Sequence, residues 1–191
     1  MNGWKRRLFH LCSIALLLIA ALLVPRGIFL ICLGGVTIAI LGLELSRLLI
    51  SPSLNRWLIS RVGVLMRKRE TTRPWSSTYV LLAALLVFWL FENNISIVTL
   101  CFLAVGDPAA SIIGEKFGRR KIWGKSLEGT AACFLSCLVI GVFLANRVLS
   151  VSLLAILAGS FCAALMELLP LHLNDNIAIP ILPAGVMTAV R

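Results

Sequence analysis

Residues 94–118 read NISIVTLCFLAVGDPAASIIGEKFG, and this stretch indicates both the environment of the chain and its chemistry. The run Ile95–Val105 is predominantly apolar, and Asp107 and Pro108 then interrupt it. A helix that crosses a bilayer needs roughly 20 mostly apolar residues, and a carboxylate inside one is costly enough to mark a functional site. We therefore expect a membrane helix that breaks at Gly106, with Asp107 near the N-cap of a new helix and Pro108 in its first turn.

The whole chain has the composition of a membrane protein. Of its 191 residues, 60% are hydrophobic and 14% are charged, and the mean hydropathy is +1.00, whereas about 25% of the residues in soluble domains are charged. The 18 Lys+Arg and 8 Asp+Glu give a net charge of +10. A nucleic-acid-binding protein carries such a charge on a polar surface. We therefore expect no nucleic-acid partner and assign the basic excess first to membrane topology.

Seven apolar stretches predict an all-α, polytopic membrane helical bundle with about seven transmembrane helices, forming a single integral-membrane domain over residues 1–191. Cytoplasmic loops are enriched in Lys and Arg, and a cytoplasmic N-terminus places 15 of the 18 bases and seven of the eight acids on that face. We prefer a retained first helix to a cleavable signal peptide, because no A-x-A-like site precedes Pro25. The predicted spans are Leu8–Val24, Gly27–Leu45, Ser76–Phe91, Asn94–Ile113, Thr130–Ala145, Val148–Met166 and Ile177–Val190.

The long basic segment from Ser46 to Trp75 allows two interpretations. Apolar residues at helical spacing are typical of an amphipathic helix that lies along the membrane interface, and a solvated basic loop is the alternative. The residues at this spacing are Leu54, Trp57, Leu58, Val62 and Leu65.

Small and polar residues recur every four positions around the interruption. If the helix continues, the small residues form a stripe along one face of it, and the polar residues form a second stripe next to the first. Small residues allow close approach of a second helix or of a ligand, and for the glycines alone we favour helix packing. The polar stripe favours a functional site. The two stripes are Gly106, Ala110, Gly114 and Gly118, and Asp107, Ser111 and Glu115.

The next residues, FGRRKIWGKSLEGT (117–130), supply the opposite charge. Arg and Lys bind phosphate, and Gly and Ser let backbone N–H groups approach it, although the positive-inside rule explains Arg119 and Arg120 equally well. A P-loop is excluded, because Walker A requires glycine at position 119. Asp107 and Glu128 beside these bases are the parts needed for Mg²⁺-assisted transfer of a phosphoryl or nucleotidyl group.

Polar residues return to the same predicted face near the C-terminus. Glu167 ends the sixth predicted span, and His172 alone is more typical of an interfacial histidine than of a ligand. Asp175 and Asn176 fit a helix N-cap and a binding site equally well. Two prolines, at positions 180 and 183, predict that the last segment is kinked or broken.

At these residues the chain resembles the CTP-dependent polyprenol and lipid kinases, a family that includes dolichol kinase, phytol kinase and the CTP-using diacylglycerol kinase. The resemblance rests on G-D-x-x-A-x-x-x-G-x-x-x-G at positions 106–118 and on G-K-S-x-E-G at positions 124–129. Weaker matches are Arg6-Arg7 with His10, Glu44 with Arg47, the loop around Glu70, and D-N-x-x-I-P at positions 175–180.

The resemblance implies transfer of the terminal phosphate of CTP to the hydroxyl of a membrane lipid alcohol, at the cytoplasmic face of the cell membrane. It implies Mg²⁺ or another divalent metal, with Asp107 and Glu128 as metal ligands and with Asp107, Glu128 and Lys125 as catalytic residues. The residues it assigns to the nucleotide site are Gly106, Ser111, Gly114, Lys116, Gly118, Lys121, Lys125, Ser126, Gly129, Asp175 and Asn176.

Two other functions stay open. The phosphatidate cytidylyltransferases, which also use CTP and Mg²⁺, are similar in an aspartate, a G-x-x-x-G and a K-x-x-E-G run, but their C-terminal KR, KD and PGHGG signature is absent here. A small transporter would explain spans interrupted by a carboxylate and by prolines. We find no corresponding repeat halves, however, and the loop bases would have no role in moving a neutral solute.

Overall fold

The computed structural model describes residues 3–63, 66, 68–147, 149–170 and 174–191, and these are almost entirely helical. Leu65, Val148 and His172, named above, lie outside the described residues. The helices are α1 (Gly3–Leu23), α2 (Arg26–Leu45), α3 (Pro52–Val62), α4 (Ser76–Leu90), α5 (Asn93–Phe117), α6 (Leu127–Arg147), α7 (Leu153–Leu168) and α8 (Asp175–Ala189). A π-helical turn (Ser46–Ile50) extends α2, a 3₁₀ turn (Lys68–Thr71) precedes α4, and strands β1 (Lys121–Ile122) and β2 (Lys125–Ser126) form a hairpin before α6.

The chain divides into two compact units, Met1–Leu85 and Leu86–Arg191. In the first unit α1 packs on α2, and α3 packs on the π-helical turn. Apolar side chains such as Ile14 and Leu33 form its buried part. This unit also buries the charged side chain of Arg47, so it is held by more than apolar contacts.

In the second unit α5 is the central helix, because it packs against α6, α7 and α8. Its first half is buried almost without interruption from Ile95 to Ala104, and Phe102 and Leu103 are fully buried. A helix that is apolar on all sides is expected where neighbours surround it. The second half of α5 therefore carries the polar residues that the surrounding helices leave accessible.

Three helical stretches among the described residues are long and apolar enough to cross a membrane: Arg26–Ile50, Asn93–Phe117 and Leu127–Arg147. Shorter apolar stretches are Leu8–Leu23, Ser76–Leu90 and Leu153–Leu168. Large apolar side chains such as Leu16, Ile31 and Val139 are exposed on them, as lipid-facing residues are. These features support an all-α, multi-pass membrane protein, and the count of seven spans stays a prediction.

The predicted break of the fourth span at Gly106 is wrong, because α5 runs without interruption through Asp107 and Pro108. α8 also runs through Pro180 and Pro183 without a break, and a kink at these prolines stays a prediction. A proline inside a helix removes one i to i−4 hydrogen bond, but packed membrane helices tolerate this loss because neighbouring groups and local adjustments satisfy the freed carbonyl. Asp107 therefore lies in the body of a 25-residue helix and not at an N-cap.

The helical interpretation of the basic segment is confirmed for Pro52–Val62. The Ser51 hydroxyl caps α3 by accepting the Leu54 N–H at 3.3 Å, and Pro52 occupies the first turn, where its missing N–H does least harm. Leu58 is buried while Trp57 is exposed, so the helix is amphipathic. Its location at a membrane interface stays a prediction.

Candidate functional site

Glycines allow α5 and α6 to approach closely. A Cβ atom on Gly114 would lie 2.7 Å from the Ser126 hydroxyl, and one on Gly129 would lie 2.7 Å from the Ala110 carbonyl oxygen. Similar constraints apply to Gly106, which faces Cys133 and Cys137, and to Gly118, which faces Ser126. Interiors this tightly packed do not accept an added methyl group without movement. Helix packing, favoured above for the glycines alone, is confirmed, and their contact with a nucleotide stays a prediction.

The basic residues after α5 are carried by a tight hairpin. Lys121 pairs with Ser126 and Ile122 with Lys125, and the turn residues Trp123 and Gly124 have φ angles of 51° and 86°. Two consecutive positive φ angles are typical of a type I′ hairpin turn. The hairpin was not identified from the sequence, because the Trp-Gly pair lacks the Asn or Asp that usually marks this turn.

The hairpin is joined to the start of α6. The Ser126 hydroxyl accepts the Gly129 N–H at 3.1 Å and so caps the helix. Both Glu128 carboxylate oxygens accept the Arg120 backbone N–H, at 3.3 and 3.4 Å. The positive end of the α6 dipole therefore follows directly on the basic hairpin. Ser126 and Glu128 have structural contacts here, and their roles toward phosphate and metal stay predictions.

Three segments far apart in the chain meet at Lys125. Its Nζ atom lies 3.2 Å from Asp175 Oδ2 at the start of α8 and 3.5 Å from Glu167 Oε1 in the last turn of α7. Asp107 belongs to the same surroundings, because its charge acts on Glu167. We call these four side chains the lysine cluster. It unites residues of the two motifs, at 106–118 and 124–129, with the polar residues near the C-terminus.

The lysine cluster combines three carboxylates with one ammonium group. The Lys125 side chain is 29% exposed and that of Asp175 38%, whereas Glu167 is only 12% exposed. The Lys125 ammonium can exchange one of its two carboxylate partners for a phosphate and still have a negatively charged partner. Because the carboxylates of the cluster outnumber its ammonium group, an anionic ligand suits the cluster when it arrives together with a cation.

The described residues contain no group of three or more His, Cys, Asp or Glu side chains placed to hold a metal ion. The donor chemistry nevertheless fits Mg²⁺, which prefers oxygen ligands and commonly takes one or two carboxylates together with substrate phosphates. Asp107, the metal ligand implied by the resemblance, is the half-buried member of the cluster on α5.

The other predicted nucleotide-site residues have diverse positions. Ser111 donates to Glu115 at 3.0 Å on α5, while Lys116 and Lys121 are exposed. Asn176 is buried, and its backbone N–H donates at 3.1 Å to the side chain of Asn174, which is the N-cap of α8. The cap is thus the preceding asparagine, which leaves the Asp175 carboxylate to pair with Lys125.

The first unit contains a polar network of its own around Arg47. The guanidinium donates to Glu44 Oε2 at 2.7 and 3.1 Å and to Asn55 Oδ1 at 3.0 Å, and it lies 4.6 Å from the centre of the Trp75 ring. It also donates to the carbonyl oxygens of Glu70 and Arg73 at 3.2 and 2.8 Å. This arginine network uses the planar donor fork that distinguishes arginine from lysine.

Sequence reasoning found only part of the arginine network. Glu44 and Arg47 stand three residues apart at the end of an apolar stretch, and a charged pair in that position is a usable signal. Asn55 and Trp75 were not identified, because neither belongs to a charge pattern. Their role depends on the chain returning to Arg47 from 8 and 28 residues away.

No protein-family model and no solved structure matches the chain. Among curated proteins, CTP-dependent diacylglycerol kinase 1 of Saccharomyces cerevisiae is 30% identical over 164 residues, which cover 73% of this chain and 56% of that protein. Dolichol kinase of the same yeast is 31% identical over 186 residues, covering 92% of this chain and 35% of that protein. Probable phytol kinase, chloroplastic, of Triticum aestivum is 34% identical over 130 residues, covering 60% and 43%.

The chain thus spans about half the length, or less, of these relatives. These distant curated homologues are kinases of the polyprenol and lipid kinase family, and the diacylglycerol kinase is named as CTP-dependent. The resemblance that rested on the motifs at 106–118 and 124–129 is therefore confirmed.

Proposed function

We propose that this chain is a CTP-dependent kinase that phosphorylates the hydroxyl group of a membrane lipid alcohol at the cytoplasmic face. The acceptor class comprises polyprenols, phytol-like prenols and diacylglycerol, the lipids named in the homologues. The observation that carries the proposal is the lysine cluster, in which Lys125 of the G-K-S-x-E-G motif lies 3.2 Å from Asp175 and 3.5 Å from Glu167. A phosphate-binding base is thereby held next to acids that are suited to metal and proton chemistry.

Lys125 is the proposed contact to the CTP phosphates. Its charge is balanced by Asp175 and Glu167, so the side chain is held in place rather than free on the surface. The phosphates would replace part of this pairing, and the exposed hairpin bases Lys121 and Arg120 would add charge around them. The N-terminus of α6 contributes its dipole to the same anion.

Asp107 is the proposed acid–base residue. The lipid hydroxyl oxygen forms a bond to the γ-phosphorus of CTP while the bond from that phosphorus to the β–γ bridging oxygen breaks, and CDP leaves with the electron pair. The hydroxyl proton passes to the Asp107 carboxylate. Phosphoryl transfer needs mainly positioning and charge neutralisation, which is what an acid and a base fixed on neighbouring elements supply.

A divalent metal is proposed to arrive with the nucleotide. When bound, Mg²⁺ would supply positive charge to offset the negative charge that develops on the phosphates during transfer. Asp107 and Glu128 are the residues proposed to hold it. An ion that takes its remaining ligands from CTP and water needs no larger cluster of protein carboxylates.

The test uses the purified protein in detergent with CTP labelled separately at the α and γ phosphates, and with prenols and diacylglycerol as acceptors. We expect label to reach lipid from the γ position alone, with CDP as the second product. Transfer of label from the α position with release of pyrophosphate would instead identify a cytidylyltransferase. If the protein binds CTP but none of the tested lipids becomes labelled, the kinase proposal is wrong.

A further inference from the structure

The first unit contains a cavity of about 540 Å³ within residues 9–81. α1, α2, α3 and α4 all contribute to its walls, which are mostly apolar, with side chains such as Leu17, Val36, Ile40 and Leu81. Ligand cavities of roughly 300–1,000 Å³ with apolar walls and a few polar groups are typical binding sites for small molecules. This cavity therefore has the size and lining of a site for an apolar chain.

A small set of polar groups interrupts the apolar lining. The cavity lining includes Glu70, Trp75, Ser76 and Ser77. The last three are consecutive in the chain, and Glu70 lies next to them, since its Oε1 accepts hydrogen bonds from the Ser76 backbone N–H and hydroxyl. Glu70 is only 5% exposed. The indole Nε1–H of Trp75 is buried and has no hydrogen-bond acceptor among the described residues. A buried donor without an acceptor is costly, and a ligand oxygen would remove that cost.

The arginine network holds these polar groups in place. The Trp75 backbone N–H donates to Glu44 Oε1 at 2.9 Å, and the Trp75 ring lies against the Arg47 guanidinium. The same guanidinium donates to the Glu70 carbonyl at 3.2 Å. A site whose residues are fixed by a second layer of hydrogen bonds binds its ligand with less loss of conformational freedom.

We propose that this cavity binds the lipid alcohol acceptor, with the alkyl or prenyl chain along the apolar wall and the hydroxyl group between Trp75 and Glu70. In the complex with lipid alone, before phosphate transfer, the hydroxyl oxygen accepts the Trp75 Nε1–H and the hydroxyl group donates a hydrogen bond to the Glu70 carboxylate. This inference rests on the proposed function for the identity of the ligand. It adds a binding site and residues, Glu70 and Trp75, outside the lysine cluster.

The experiment measures binding of phytol and of dioctanoylglycerol to the full chain in detergent, without nucleotide, and compares each alcohol with its deoxy analogue. Ile40→Trp fills the cavity. Ile38→Trp is the matched control, since Ile38 is 71% exposed and lies on the opposite side of α2. We expect at least one of the alcohols to bind, with affinity reduced tenfold or more by Ile40→Trp and unchanged by Ile38→Trp. Ser77→Phe fills the cavity from α4, in case Ile40→Trp does not fold.

The hydroxyl contact is tested by Trp75→Phe, which keeps an aromatic ring against Arg47 but removes the N–H donor together with the rest of the five-membered ring. The loss of one hydrogen bond should weaken binding of the alcohol about tenfold more than binding of the deoxy analogue, because the analogue reports the effect of the smaller ring alone. If alcohol and analogue bind equally well to wild type and to Trp75→Phe, the cavity holds any apolar chain and the proposal is wrong. Equal binding to wild type and to a folded cavity-filling variant would also overturn it.

Parallel assays of phosphate transfer separate this proposal from the kinase proposal. If the protein binds the alcohol in a way that depends on Trp75 but transfers no phosphate, the proposed lipid site is supported and the kinase proposal is wrong. If the folded Ile40→Trp variant transfers phosphate and binds the alcohol as well as the wild type does, the kinase proposal is supported and the proposed lipid site is wrong.

Discussion

Lys125 is the residue on which the proposed nucleotide site depends most directly. It is the basic group of the G-K-S-x-E-G motif, and it lies between Asp175 and Glu167. A charge-assisted hydrogen bond contributes about 1.5–3 kcal/mol, so Lys125→Ala should weaken CTP binding by roughly ten- to a hundredfold. Equilibrium binding of labelled CTP to purified protein measures the effect.

The control for Lys125→Ala is Arg147→Ala, which removes the same charge at the opposite, exposed end of α6. This variant should bind CTP as the wild type does. Equal CTP affinity in wild type and Lys125→Ala would show that Lys125 contributes only to membrane orientation and to structural contacts, and not to nucleotide binding.

Asp107 is the residue expected to affect turnover rather than binding. Asp107→Asn keeps the size of the side chain and the course of α5 but removes the proton acceptor. Loss of a positioned acid–base group typically costs about 10²- to 10⁴-fold in rate, and we expect a loss of that size with an unchanged melting temperature. Label transfer from γ-labelled CTP and thermal unfolding are the two measurements.

Glu92→Gln provides the matched change for Asp107→Asn, since it converts a carboxylate to an amide next to the opposite end of α5. Glu92 pairs with Arg191, away from the lysine cluster, so turnover should be preserved. Normal turnover in Asp107→Asn would exclude Asp107 from the mechanism.

At the level of the elements, the contact between α5 and α6 sets where the hairpin and Lys125 lie. Gly129→Ala would place a methyl group 2.7 Å from the Ala110 carbonyl oxygen and 2.9 Å from the Ser126 hydroxyl. Overpacking of this kind costs about 1–3 kcal/mol, so the melting temperature and CTP affinity should both fall. Gly185→Ala on α8 is the control, because no atom lies within 4 Å of its added Cβ, and a helical Gly to Ala change is neutral or stabilising by about 0.5–1 kcal/mol.

A Gly129→Ala variant as stable as the wild type would mean that α5 and α6 separate easily, and the glycine-based packing described for this contact would be wrong.

The same elements show what sequence patterns can and cannot predict. The composition and the length of the apolar stretches were sufficient to predict an all-helical membrane protein. The four-residue spacing of the glycines was sufficient to predict close helix packing along α5. The continuity of α5 through Pro108 was mispredicted, because the sequence shows the backbone hydrogen bond that proline removes but not how a packed helix tolerates its loss. The partners of Lys125 were anticipated as a common polar face, whereas the Arg47 and Trp75 contacts depend on the return path of the chain.

At the level of the whole molecule, each compact unit has its own polar centre in an otherwise apolar surrounding. The first unit holds the arginine network and the second holds the lysine cluster. The two proposals therefore concern different units, with the lipid alcohol assigned to one and the CTP phosphates to the other. Buried charge is costly unless it is paired, and the buried Arg47 and Glu44 pair with each other, as Lys125 pairs with Asp175 and Glu167.

The membrane topology is the property of the whole chain that follows from its charge distribution, with 15 of 18 bases expected on the cytoplasmic face. α6 tests it directly, because its 21 residues span about 31 Å, close to the roughly 30 Å of a bilayer core. In a background with all six cysteines replaced, Arg119→Cys should react with a membrane-impermeant maleimide only from the cytoplasmic side, and Arg147→Cys only from the outside. Both residues are exposed, so failure to react reflects sidedness rather than burial. Labelling of both from one side would show that α6 does not cross the membrane, and exchanged sides would reverse the orientation and place the hairpin away from cytoplasmic CTP.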